Sequence, residues 1–190
     1  MKTLSLDAVY VKSIDGTDDI IKDNKLKVAF LGRSNVGKSS LINALVGKPL
    51  ARSSTRPGKT VKLDFFLVQN KLFFVDLPGY GYARRSKDAQ EHFRRLIAWY
   101  LFRSGVTHKQ VVLIIDANIG VTTYDHESIE LLTQFHIPFV VAANKIDKVK
   151  ISVRHKTLAA IQKECGECPV FVFSSVTQEG VGKLRELLLS

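Results

Sequence analysis

A chain of 190 residues with 45% hydrophobic and 24% charged content can bury one sizeable core, and its composition excludes a repeat array or a low-complexity chain. Its longest apolar stretches, such as Val111 to Ile115 and Phe139 to Ala143, are far too short for a membrane span. Residues 1–23 scatter carboxylates (Asp7, Asp15, Asp18, Asp19, Asp23) without an apolar signal core, so a cytoplasmic protein with no membrane partner is expected. The formal charge of +10 exceeds what a small anionic ligand needs, which leaves two readings: a polyanionic partner, or solubility plus attraction of the ligand itself.

Residues 1–26 form an extension ahead of a domain over 27–190. Alternation at Leu4, Leu6, Ala8 and Tyr10 predicts an edge strand, and Thr17 to Ile21 a helical turn. The chain is then organised by KVAFLGRSNVGKSSL, Lys27 to Leu41. Val28 to Leu31 suits a buried strand and Leu41 to Val46 a helix. Between them Gly32, Gly37, Lys38 and Ser39 fit the G-x-x-x-x-G-K-[ST] spacing of a phosphate-binding loop. The glycines let successive N–H groups converge on phosphate oxygens at a helix N-terminus. Lys38 adds charge toward the β and γ phosphates, and the Ser39 hydroxyl can ligate Mg²⁺. Gly47 and Pro49 end the helix, and residues 48–60 read as a long polar loop of the functional or mobile kind.

Val61 to Val68 and Leu72 to Asp76 predict an antiparallel hairpin across Gln69, Asn70 and Lys71. It delivers Asp76-Leu77-Pro78-Gly79 at a strand's C-terminal end, where Asp76 can hold Mg²⁺ through water and the Gly79 N–H can approach a γ-phosphate. Tyr80 to Lys87 is basic and expected to be mobile. Phe93, Leu96, Ile97, Tyr100 and Leu101 then share a helical face, which favours core packing over a base-stacking platform. Val111 to Ile115 is a buried strand closed by Asp116. A helix over Thr123 to Phe135 should start at Thr123 or Asp125 and turn Ile129, Leu132 and Phe135 inward. Phe139 to Ala142 is a strand delivering Asn144-Lys145-Ile146-Asp147, and a basic helix over Ser152 to Lys163 leads to a strand over Val170 to Phe173. Ser174-Ser175-Val176 and a last helix carrying Val181, Leu184 and Leu188 follow. The alternation after Asp76 predicts parallel strands with helices on both faces.

The N-K-x-D stretch distinguishes bases. Asp147 can accept from guanine N1–H and the 2-amino group, donors that adenine lacks; Asn144 can donate to N7, and the Lys145 stem can cover the ring. Adenine would leave a buried carboxylate unpaired, at a cost of several kcal/mol. Ser175 can offer its N–H to guanine O6.

GRSNVGKSSLINAL, the RPGKT run ending in Thr60, DLPGYGYA, NKID and FSSV resemble the five guanine-nucleotide motifs of the EngB (YihA/YsxC) family, within the TrmE-Era-EngA-EngB-septin-like group. The resemblance covers nearly all of residues 27–190. It implies a three-layer α/β, Ras-like P-loop NTPase fold with a six-stranded, mainly parallel sheet and one antiparallel edge strand. It also implies a monomeric, slowly hydrolysing GTPase that binds GTP or GDP with Mg²⁺ and serves assembly of the large ribosomal subunit, contacting rRNA and ribosomal proteins. Its nucleotide contacts would run over Gly32, Arg33, Ser34, Asn35, Val36, Gly37, Lys38, Ser39 and Ser40. Further contacts would come from Pro57, Gly58, Lys59 and Thr60, from Asp76, Leu77, Pro78 and Gly79, from Asn144, Lys145 and Asp147, and from Ser174, Ser175 and Val176.

Under that resemblance Ser39, Thr60 and Asp76 serve the metal, and Lys38, Thr60, Gly79 and Asn35 the reaction. Asn35 matches an asparagine with which some relatives hold K⁺. Tyr80 stands where Ras-like enzymes place a water-orienting glutamine. Two features depart from the family. Arg56 precedes Pro57 where threonine is more usual, and Ser-Ser-Val replaces Ser-Ala-Lys, which predicts slightly weaker nucleotide affinity.

Cations cluster at Lys48, Arg52, Arg56, Lys59 and Lys62, at Arg84, Arg85, Lys87, Arg94, Arg95 and Arg103, and over Lys145 to Lys163. They coincide with the nucleotide-responsive segments and so favour a polyanion that reads nucleotide state. The other functional classes are a phosphotransferase, which would need an acceptor-binding insertion, and a GTPase regulating a membrane or another partner, for which no lipidation motif is visible. Cys165 and Cys168 form a C-x-x-C pair that reads as reduced structural thiols, since a four-ligand zinc site would need two partners from afar, His155 being the nearest histidine in sequence. His92, His108, His126 and His136 read as surface or packing residues.

Overall fold

Val28 and Phe30 bury against one helical layer and Ala29 and Leu31 against the other, the pattern of a strand covered on both faces. The computed structural model describes residues 5–52, 62–80, 87–106 and 109–190, with backbone alone at 87–90 and 93. Its strands are β1 (Ala8–Ile14), β2 (Leu26–Gly32), β3 (Leu63–Val68), β4 (Leu72–Asp76), β5 (Lys109–Asp116), β6 (Phe139–Asn144) and β7 (Val170–Val172). Among the described residues they form one seven-stranded sheet in the order β1-β3-β4-β2-β5-β6-β7.

The helices are α1 (Lys38–Val46), α2 (Lys87–Ala98), α3 (Thr123–Gln134), α4 (Ile151–Cys165) and α5 (Val181–Leu189). Leu41, Ile42 and Leu45 of α1 and Val181, Leu184 and Leu188 of α5 pack with Val28, Phe30, Val112 and Ile114. Leu96 of α2, Leu132 of α3 and Ile161 of α4 pack with Ala29, Leu31, Val111 and Leu113 on the opposite face. The three-layer α/β arrangement is therefore the one expected.

Among the described residues the strand count is seven rather than six; the sheet is mainly parallel with an antiparallel edge part, as expected, but β3 stands one place in from the edge, which β1 takes. β3 runs antiparallel to both β4 and β1, because the N-terminal alternation supplies a further strand that covers it. That strand occupies Ala8–Ile14, with a bulge between Tyr10 and Lys12; Leu4 lies outside the described residues. Such pairing removes an exposed row of backbone donors and acceptors on β3. The hairpin turns through left-handed Gln69 (φ 49) and Asn70 (φ 53), whose twist suits the flanking strands.

α2 continues through one π-helical turn, Trp99–Arg103, which seats Tyr100 and Leu101 in the core. Core packing is thus the role of this face where it is described. α3 starts from Thr122, one residue before the expected cap: Asp125 Oδ2 accepts from Thr122 N at 2.8 Å and Oγ1 at 2.6 Å, a reciprocal cap in which Asp125 is the third helical residue. Phe135 does not turn inward. It lies past the last helical residue, is 50% exposed, and rests against Phe102 with centroids 4.4 Å apart. The buried Ile137 takes the inward place.

Candidate functional site

The C-terminal ends of β2, β4, β5 and β6 converge, and chain reversals there carry the polar residues singled out by sequence. After Gly32 the chain turns through left-handed Asn35 (φ 64) and Gly37 (φ 104) into α1. Asparagine tolerates that conformation. Gly37 is required for a second reason, since a Cβ there would lie 2.4 Å from Asn144 Nδ2. Asn144 is 1% exposed, and its Nδ2 donates to Val36 O at 2.9 Å, so the residue expected at guanine N7 also bolts the end of β6 to the phosphate loop.

Lys145, itself left-handed at φ 61, reaches the same loop. Its Nζ donates to Asn35 O at 2.8 Å and to Asp116 Oδ2 at 2.7 Å. Asp116 is the register partner of Asn144, and sequence reasoning saw in it only the end of a strand. Two residues on, Asp147 Oδ1 accepts from Ser174 Oγ at 2.6 Å, and that Oγ accepts from Val176 N at 3.2 Å and Thr177 N at 3.1 Å. Ser174 is fully buried and thus orients the carboxylate, whereas Val176 is 77% exposed.

On the phosphate side, Ser39 Oγ donates to Asp76 Oδ2 at 3.0 Å. Asp76 Oδ1 is buried without a hydrogen-bond partner among the described residues. Burial raises the Asp76 carboxyl to about 6, against the opposing pull of the Lys38 ammonium. Lys38 is in turn lowered by burial and held up by the Asp76 charge. A buried carboxylate oxygen lacking a partner beside a serine hydroxyl suits a small hard cation, so the donor set fits Mg²⁺. Gly79 lies against the loop: a Cβ there would meet Lys38 Nζ at 2.6 Å and Ser34 N at 2.8 Å.

Tyr80 is fixed rather than mobile, its hydroxyl donating to Asp125 Oδ1 at 2.6 Å. Pro57, Gly58, Lys59 and Thr60 lie outside the described residues, as do Arg56, Arg84, Arg85 and His108. The base of that loop is held by Asn43, whose side chain makes three hydrogen bonds to Leu50 and Ala51. Of the remaining cations, Arg52, Arg94 and Arg103 are exposed, Arg95 pairs with Glu91, and Arg154 with Glu179. His126 pairs with Glu164 on α4. Burial, with the charges of Asp125 and Glu164, pushes the Cys165 thiol up to about 11; burial and Cys165 push Cys168 to about 12. Both thiols are therefore poor nucleophiles at neutral pH.

A Ras-like sheet with a glycine-bounded phosphate loop, an Asp-Leu-Pro-Gly strand end and an Asn-Lys-Ile-Asp strand end defines a guanine-nucleotide-binding P-loop GTPase. The family model described as 50S ribosome-binding GTPase matches residues 27–145, and one described as elongation factor Tu GTP binding domain matches residues 101–190. The chain is 46% identical over 167 residues to the probable GTP-binding protein EngB of Thermotoga petrophila, across 86% of this chain and 85% of that one. A crystal structure of a probable GTP-binding protein engB aligns with TM-score 0.72 at 27% identity, over 86% of this chain and 96% of the other. Era in complex with MgGDPNP and nucleotides 1506–1542 of 16S ribosomal RNA aligns with TM-score 0.65 at 25% identity, over 86% and 55%. The chain belongs to the EngB family of GTP-binding proteins.

Proposed function

We propose that this GTPase is a GTP/GDP switch in assembly of the large ribosomal subunit, acting as a cytoplasmic monomer with slow intrinsic turnover. Residues 27–190 form the nucleotide domain, and residues 1–26 extend it. In this reading the amides of residues 32–40 cradle the phosphates and Lys38 neutralises them. Ser39 and Asp76, the latter through water, hold Mg²⁺, which offsets phosphate charge when bound. Asp147 reads guanine N1–H and the 2-amino group, with Lys145 over the ring and Ser175 at O6. Pro57 to Thr60 and Gly79 respond to the γ-phosphate. Tyr80 carries no amide with which to orient a water, which accounts for slow hydrolysis. A K⁺ ion beside Asn35 would supply part of the missing positive charge.

The observation that carries the ribosomal part is the match of residues 27–145 to the 50S ribosome-binding GTPase model. A net charge of +10, with exposed arginines on α2 next to the nucleotide-responsive segments, supports the same reading. Co-sedimentation with large ribosomal subunits is expected to be stronger with a non-hydrolysable GTP analogue than with GDP and to weaken as salt rises. Equal binding in all nucleotide states would remove the switch. Equal GTPase rates in K⁺ and Na⁺, unaltered by Asn35→Ala, would remove the potassium site.

A further inference from the structure

Asp116 is the last residue of β5 and lies opposite Asn144 in register. Its carbonyl accepts from Ile119 N at 3.0 Å and Gly120 N at 2.9 Å, and its Oδ1 accepts from Asn118 N at 3.1 Å. Three backbone donors thus wind the turn after β5 around one residue, which fixes its carboxylate. The remaining oxygen, Oδ2, accepts from Lys145 Nζ at 2.7 Å. Asp116 is 9% exposed, so salt screens this ion pair less than one on the open surface.

Lys145 is held at both ends. Its backbone sits at φ 61, a conformation that a residue with a side chain keeps only where its surroundings impose it. Its ammonium donates to Asn35 O on the phosphate loop at 2.8 Å as well as to Asp116. The four-carbon stem is therefore strung between a fixed backbone and a fixed ammonium, and the rotamer freedom of a lysine is already lost in the nucleotide-free protein. Nothing in the reading of a base edge calls for a carboxylate on Asp116, which serves the stem alone.

The geometry points to Asp116 as a positioning residue for the guanine ring: by holding the Lys145 ammonium, it keeps the aliphatic stem laid out before a nucleotide arrives. This rests on the reading of Lys145 as the ring's cover and goes further by naming what sets that cover in place. A stem released from Asp116 must be ordered by the ligand instead, which lowers affinity roughly three- to tenfold. Charge alone predicts the opposite sign, since deleting a carboxylate beside an anionic ligand favours binding. The stem meets the face of the ring rather than its edge, so the loss is blind to the substituent at C2.

The test is calorimetric affinity for GDP and for inosine diphosphate, which lacks the 2-amino group, in wild type, Asp116→Asn, Lys145→Met, the double variant and Lys145→Ala. Asp116→Asn keeps an oxygen to cap Asn118 N and removes the charge that holds Lys145. It is expected to weaken both nucleotides by the same three- to tenfold factor, leaving their ratio as in wild type. Lys145→Met keeps an unbranched stem without an ammonium, so adding Asp116→Asn to it should cost no further affinity. Unchanged or tighter GDP binding in Asp116→Asn would overturn the proposal. So would a shifted ratio of the two nucleotides, or the same loss in the Lys145→Met background, which would place the effect in the turn after β5. Failure of the underlying reading is distinguishable: Lys145→Ala would then bind GDP as tightly as wild type.

Discussion

Asn43→Ala removes three hydrogen bonds with one truncation. Asn43 Oδ1 accepts from Leu50 N at 2.8 Å and Ala51 N at 2.7 Å, and Nδ2 donates to Ala51 O at 2.8 Å. One side chain on α1 thus fixes the two residues from which the chain departs toward the segment carrying Thr60. Ala51 is 5% exposed, so its backbone groups are withdrawn from water. At about 1 kcal/mol net per bond, and more for each partner orphaned in place, a segment that stayed put would cost the fold about 3 kcal/mol or more. Release of the segment into water would rehydrate those groups and reduce the loss to about 1–2 kcal/mol. Both limits exceed the roughly 0.5 kcal/mol expected of a surface substitution. Urea unfolding reads the global loss, and native-state amide exchange at Leu50 and Ala51 reads the local one; both amides should exchange at least tenfold faster. An unfolding midpoint equal to wild type, with both amides still protected, would refute the reasoning.

Gly37→Ala forces a Cβ onto a residue at φ 104 and to 2.4 Å from Asn144 Nδ2; calorimetry should show GDP affinity reduced tenfold or more, and a change under about twofold would contradict the close approach. Tyr100→Phe should raise stability by about 1 kcal/mol, because the Tyr100 hydroxyl is buried without a partner among the described residues; a loss of that size in urea unfolding would contradict this. In metal-free protein the Asp76 carboxyl is raised from 3.8 to about 6, so between those values the native state holds a proton that the unfolded chain has released. The resulting stability, about 3 kcal/mol, is fully present below pH 3.8 and lost as pH rises through 6; urea titrations in chelator should show this decline between pH 4 and 8 in wild type and its absence in Asp76→Asn, and equal slopes would refute it.

Sequence disclosed the features whose chemistry is local. The glycine spacing of residues 32–37 dictates a loop that the backbone angles then display, and the hairpin follows from two strand patterns a few residues apart. Features depending on residues distant in the chain were not legible. Asp125 looked like a candidate helix start, and nothing near it shows that its second oxygen meets Tyr80. Asp116 looked like a strand end, and its grip on Lys145 requires β5 and β6 to be neighbours in register. Phe135 fits an inward helical period, but the helix stops one residue earlier, so the period no longer governs where its ring points. The seventh strand was half legible: alternation placed a strand at the edge, while the bulge that shifts its register leaves no signature in the pattern.

The phosphate loop is tied to its surroundings at three consecutive residues: Ser34 N to Tyr80 O, Asn35 O to Lys145 Nζ, and Val36 O to Asn144 Nδ2. Two of those ties come from the Asn-Lys-Ile-Asp strand end, so that strand end and the phosphate loop are one mechanical unit. This separates residues that a motif groups together. Asp147, oriented by Ser174, has no described tie to the loop, and Asp147→Asn should exchange guanine for xanthine preference with the phosphate site intact. Asn144 spends a donor on Val36 O while almost fully buried, so Asn144→Ala should loosen the loop and weaken GDP and XDP by the same factor, about tenfold for a buried bond together with the carbonyl it orphans. Parallel titrations with GDP and XDP on both variants decide the matter. Were Asn144→Ala instead to change base preference while leaving total affinity near wild type, the tie to Val36 would carry no weight, and Asn144 would act through the base alone.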